Sequence, residues 1–179
     1  MSIFILSQVL AFCFYVFYGI TYYTKSRNKI LIFNSCGQIL LALSFLLLGA
    51  YSGMTMNIVA FTRNVAFLIV GRQTSRITKR DLTIFGAVVI SCIIFSFLTY
   101  TSFLGLLPII ATVAYSYSIC QKNILIYRML GAPVAALWFI YYVYVFSVVG
   151  IALQFFLVGF ITYNYIKLRK EYANENEKK

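Results

Sequence analysis

The chain has 179 residues, 62% hydrophobic and 11% charged, with a formal net charge of +11. A soluble domain carries about a quarter charged residues, so a soluble globular fold and a disordered chain are both excluded. The basic excess does not argue for nucleic acid, because it flanks apolar runs, where orientation in a bilayer puts it.

A helix crosses the hydrocarbon core with about 20 apolar residues, at about 1.5 Å of rise each. Seven stretches qualify in chain order: Ile3 to Tyr23, Ile30 to Ala50, Met54 to Gly71, Leu82 to Tyr100, Phe103 to Ile119, Ile124 to Tyr144 and Val148 to Ile166. The joints between spans four and five, and six and seven, are marked only by Thr101-Ser102 and Phe146-Ser147. The first basic residue is Lys25, so the charged head of a cleavable signal is missing and the first run is expected to stay as a span. Glu171 to Lys179 reads as a solvated polar tail.

Charge fixes the expected direction. Basic residues fill alternate connections: Lys25, Arg27 and Lys29; then Arg72, Arg76, Lys79 and Arg80; then Lys122; then the tail from Lys167. The connections between them carry none. Positive loops stay cytoplasmic. Seven spans with the N-terminus outside and the C-terminus in the cytoplasm satisfy every loop; six spans would put one basic cluster outside.

The sequence also repeats itself at an offset of 94 residues. Ile30-Leu31-Ile32 returns as Ile124-Leu125-Ile126, Gly37 as Gly131, Ala42-Leu43 as Ala136-Leu137, and Phe45 as Phe139. The loop signs of spans one to three match those of spans five to seven. The expected fold is therefore an all-α polytopic membrane protein: two parallel three-helix bundles joined by a linker helix, 3+1+3. Residues 1–71 form the first repeat, 72–102 a basic cytoplasmic loop and the linker helix, 103–170 the second repeat, and 171–179 the tail. Parallel repeats of this kind occur in transporters, with a solute path between the halves.

This layout resembles the SWEET and PQ-loop architecture. Leu47-Leu48-Gly49-Ala50-Tyr51 leading to Thr62-Arg63-Asn64, together with Leu106-Leu107-Pro108-Ile109-Ile110-Ala111-Thr112, resembles the YgjV-type family of bacterial inner-membrane proteins. The resemblance covers most of the chain and implies an inner-membrane location and the fold. One departure stands out: SWEET-like proteins carry a Pro-Gln type motif in the first helix of each triplet. Here Pro108 has Phe14 as its repeat counterpart, and the chain contains no Pro-Gln. The paired proline hinges of sugar transporters are missing.

Arg63 is the most informative residue. It lies well inside span three, too deep to reach either surface comfortably, and a central arginine costs several kcal/mol. The four acids, Asp81, Glu171, Glu175 and Glu177, all lie on the expected cytoplasmic side. Arg63 should therefore face the bundle interior, with carbonyls, amides, tyrosine hydroxyls, a ring, water or an anionic ligand as partners. Asn57 and Asn64 share one face of span three, about 100° from Arg63. Asn34 and Gln38 share one face of span two, and Gln154 lies in span seven. Each amide could simply tie helices together, at about 1 kcal/mol per bond; the set suggests a polar seam. Trp138, the only tryptophan, lies away from the ends of span six, where it either packs or forms a shelf with Asn57 and Asn64. Arg128, four residues into span six, is expected to snorkel to the interface. Pro133 beside Gly131, and Pro108, mark bends that either gate or pack.

The chain has no histidine, no metal-ligand cluster, no carboxylate at mid-membrane and no G-x-x-x-x-G-K-[ST] loop. Cys13, Cys36, Cys92 and Cys120 read as small apolar fillers. An enzyme, a metal or other cofactor, and ATP-driven transport are therefore not expected. Proton coupling lacks its usual groups; sodium coupling through carbonyls stays open. The expected partners are the lipid bilayer and a small solute, with no nucleic acid; a homo-oligomer stays open. The leading expectation is a SWEET-like facilitator for a small polar or anionic solute. The alternative is a non-transporting scaffold or regulatory protein, or a binder of lipid head groups.

Overall fold

The computed structural model describes residues 2–24, 26–70, 77–99, 102–121 and 124–177. Lys25, Gly71, Arg72, Arg76, Tyr100, Thr101, Lys122, Lys178 and Lys179, on which parts of the span and charge reading rest, lie outside these, as does the side chain of Arg128. Among the described residues every regular element is helical: α1 Ser2–Tyr23, α2 Arg27–Leu47, α3 Tyr51–Val70, α4 Lys79–Thr99, a 3-10 turn Phe103–Leu106, α5 Leu107–Cys120, α6 Ile124–Tyr144 and α7 Val148–Glu177.

Six stretches are long and apolar enough to cross a membrane: Ser2–Thr21, Asn28–Leu47, Tyr51–Val70, Lys79–Thr99, Phe103–Cys120 and Val148–Lys167. The expected sixth span counts only as a shorter apolar helix, Met129–Tyr144, although α6 itself runs continuously from Ile124. The outer faces suit lipid. On α1, for example, Ile5, Val9, Phe12, Val16 and Ile20 are exposed on one stripe.

Helix ends follow local chemistry. Thr78 and Asp81 form a reciprocal cap on α4: the Thr78 N–H donates to Asp81 Oδ2 at 2.9 Å, and the Asp81 N–H donates to Thr78 Oγ1 at 3.3 Å. Asp81, a carboxylate of the basic linker, is thus buried as a helix cap. Proline has no N–H to lose in the first turn of a helix. Pro108 stands there, after the 3-10 turn, so span five begins in two pieces and Pro108 makes no mid-helix bend.

α2 ends at a left-handed Gly49 (φ +69°), with the Ala50 N–H bonded to Phe45 O at 2.9 Å. α6 ends the same way at Phe146 (φ 53°), with the Ser147 N–H bonded to Tyr142 O at 3.1 Å. These turns are 97 residues apart. So are the starts of α2 and α6, Arg27 and Ile124, and the starts of α3 and α7, Tyr51 and Val148. The helices thus recur at 97, not at the 94 of the sequence match. A slip of three residues turns a helix by only about 60° from the same face, so one apolar stripe matches itself in both registers.

Each helix packs on its chain neighbours. Two further contacts, α1 on α7 and α3 on α5, close α1, α2, α3, α5, α6 and α7 into a ring. Among the described residues α4 packs mainly on α3 and α5, outside that ring. Three buried apolar clusters fill the interior, and Trp138 packs against all three.

Candidate functional site

Inside the ring lies a cavity of about 50 Å³ to which all six ring helices contribute and α4 contributes none of its described residues. Its wall repeats in the register of the helices. Tyr18 and Tyr115, Gln38 and Ala135, Leu41 and Trp138, and Ala60 and Leu157 all line it, each pair 97 residues apart. The hydroxyl three residues beyond each tyrosine bonds back to that tyrosine's carbonyl: Thr21 to Tyr18 O at 2.6 Å, Ser118 to Tyr115 O at 2.7 Å.

Arg63, on α3, is the charged group of this wall. It is 2% exposed. Its Nε and Nη2 donate to Asn64 Oδ1 at 3.1 and 2.8 Å, and its Nη1 donates to Ser116 Oγ on α5 at 2.9 Å. The guanidinium carbon lies 5.1 Å from the centre of the Tyr115 ring, a cation–π contact. Among the described residues none of these partners is acidic. A guanidinium carries five N–H groups; the three bonds use one on each nitrogen, leaving two.

Polar and aromatic layers flank the cavity along the helices. Toward the basic linkers, Asn34 Nδ2 donates to the Tyr115 hydroxyl at 3.1 Å, and that hydroxyl pairs with Tyr127 at 2.6 Å, so α2, α5 and α6 are tied together. Gln38 Nε2 donates to Asn34 Oδ1 at 2.9 Å. Toward the α2–α3 and α6–α7 turns, Phe45 stacks on Trp138 and on Tyr142, with centroids 5.9 and 5.5 Å apart. Tyr141 is anchored there by Ser52 Oγ at 2.8 Å and the Gly53 N–H at 3.0 Å.

The structure brings Arg63, Gln38, Trp138 and Gln154 to one cavity. Gln154 also ties helices: its Oε1 accepts from Tyr15 at 2.6 Å and its Nε2 donates to Ala135 O at 2.9 Å. Asn64 stands behind Arg63, as the acceptor that orients it. Asn34 belongs to the tyrosine layer. Asn57 does not join Trp138: it bonds to Gly53 O of its own helix at 2.7 Å and lines a separate groove between α2 and α3. Asn57 and Asn64 share a face, but seven residues separate them by about 10 Å along the axis. Pro133 is exposed inside α6, and Gly131 lets α6 approach Ile161 of α7; neither lines the cavity.

The family model described as Imp-YgjV, bacterial inner membrane protein, matches residues 5–172, nearly the whole chain. The chain belongs to the Imp-YgjV family. No curated protein and no solved structure matches it. This Imp-YgjV protein is therefore a multi-pass protein of the bacterial inner membrane.

Sequence reasoning missed residues that complete the candidate site of this Imp-YgjV protein: Tyr15, Tyr18, Thr112, Ser116 and Tyr127. Tyrosine is so frequent here, at 15 residues, that no single one stands out. Thr112 and Ser116 offered a faint signal, as hydroxyls at helical i, i+4 spacing within an apolar run.

Proposed function

We propose that the protein is a facilitator that lets a small polar or anionic solute cross the inner membrane through the ring of α1–α3 and α5–α7, without enzymatic chemistry. The observation that carries this reading is a deeply buried guanidinium with no acidic partner among the described residues, lining a cavity shared by six helices. A charge at that depth is costly to keep, and two helices could be tied together more cheaply by amides alone. The helices and cavity pairs recurring at 97 residues support a duplicated SWEET-like 3+1+3 scaffold. In it α4 is the linker, the N-terminus is outside and the C-terminus cytoplasmic, as the basic linkers favour. The tyrosine–asparagine layer and the Phe45–Trp138–Tyr142 stack would then serve as the two gates.

Uptake into proteoliposomes tests this. Wild-type protein should raise entry of at least one labelled sugar, amino acid or organic anion above that of empty vesicles, and Arg63→Ala and Asn64→Ala should abolish the gain. Uptake by both variants equal to wild type across all three classes removes the site.

A second reading is a non-transporting protein that holds a lipid. It is favoured by the groove of about 210 Å³ between α2 and α3. Gln38 and Asn57 line this groove, and Gln38 Oε1 and Asn57 Oδ1 are buried without a hydrogen-bond partner among the described residues. Both atoms lie beneath the apolar surface of the groove, so a lipid head group with hydroxyl or ammonium donors would satisfy them where α2 and α3 part. Co-purified lipid that is lost in Asn57→Leu, with no uptake of any solute, would favour it over the facilitator.

A further inference from the structure

The cavity that carries the proposed pathway also limits what it holds, and the following rests on that same cavity. Arg63 brings one positive charge to it and keeps two N–H groups beyond those given to Asn64 and Ser116. Among the described residues no carboxylate bonds to Arg63. Asp81 is spent on the α4 cap, and the other three acids of the chain come after residue 170. A buried charge with no opposite charge beside it is costly, and a bound anion lowers that cost.

Size narrows the choice further. A water needs roughly 10–15 Å³ of such volume, so the cavity of about 50 Å³ has room for about three to five atoms of that size. A monosaccharide or an amino acid is far larger than the space this conformation leaves. A divalent anion would leave surplus negative charge beside the tyrosine hydroxyls. We propose that Arg63 holds one small monovalent anion of about four heavy atoms or fewer (a halide, nitrate or formate-like carboxylate), bound by the two remaining guanidinium N–H groups within the cavity that Trp138 lines.

Trp138 supplies the readout, because it is the only tryptophan and lines the same cavity. Purified protein in detergent, in a sulfate buffer of constant ionic strength, is titrated with iodide while tryptophan fluorescence is followed. The expected quenching saturates, and chloride or formate relieves it. Arg63→Gln should leave only linear, collisional quenching. Arg63→Lys keeps the charge but loses the fork of donors, and should saturate at an iodide concentration at least tenfold higher. Linear quenching of the wild type, indifferent to chloride and formate, overturns the proposal whether or not either variant folds. Halide flux in proteoliposomes is measured separately. Saturable quenching without flux of halide or uptake of any sugar, amino acid or organic anion keeps the anion site and ends the facilitator reading; flux of neutral solutes with linear quenching does the reverse.

Discussion

Phe45 and Tyr142 stack face to face, 5.5 Å between ring centroids and 21° between planes, at the same place in two helices whose starts lie 97 residues apart. Each ring is one turn from its helix end, and each residue's carbonyl accepts the N–H of the residue five positions on. The two halves of the ring thus touch through equivalent side chains.

That contact should be expensive to lose. Phe45 is fully buried and also stacks on Trp138. Phe45→Ala should cost about 3–5 kcal/mol, as large-to-small changes of aromatic core residues do. Leu46→Ala, on the exposed side of the same turn, should cost about 1 kcal/mol or less. Thermal unfolding in detergent compares them, and equal losses would deny the stack its role.

The two turns predict changes of opposite sign. Gly49 holds its left-handed conformation freely, whereas Phe146 holds one that costs a side-chain-bearing residue about 1–2 kcal/mol. Phe146 is 77% exposed, so its ring is little used within the chain. Phe146→Gly should raise the unfolding temperature and Gly49→Ala should lower it.

Close approach at the start of α3 and α7 makes a third case. A Cβ on Gly53 would meet the Tyr141 ring at 2.8 Å, and one on Gly150 would run into the Tyr142 ring. Each alanine substitution should destabilise by about 1–3 kcal/mol through overpacking. Gly86, inside α4, has nothing within 4 Å of an added Cβ. Gly86→Ala should instead stabilise, by up to about 1 kcal/mol of helix propensity. Loss of stability at all three positions would contradict the packing described.

Arg63 and Asn64 should behave as a coupled pair. In Arg63→Met the charge disappears, but Asn64 Oδ1 loses both of its donors. Leaving a buried acceptor unmade costs about 1–3 kcal/mol. The double variant Arg63→Met with Asn64→Leu should therefore unfold at a higher temperature than Arg63→Met alone. A lower temperature would mean that Asn64 does something other than hold the arginine.

Much of the architecture was legible because a membrane span is a matter of length and composition. α6 begins and ends where the apolar run does. α2 and α3 do not: the positive φ of Gly49 ends α2 three residues before the expected boundary, and Tyr51 and Ser52 start α3 three residues early. The sequence match at 94 residues misses the 97-residue spacing of the helix starts, since apolar residues on a helix match themselves after three or four positions as well as after none. The inward direction of Arg63 followed from the cost of exposing it to lipid. Its partners did not, because Tyr115 and Ser116 come from a helix some 50 residues away, and only the packing of α3 on α5 brings them there.

One position breaks the pairing of the two halves. Arg63 has Phe160 as its counterpart in the register of the helices, an exposed side chain on α7 rather than a second cation within. Tyr18 has its twin in Tyr115 and Leu41 its match in Trp138, but among the described lining residues the positive centre is unduplicated. The cavity wall is consequently lopsided: its electrostatic pull lies off to one side, against α3 and α5.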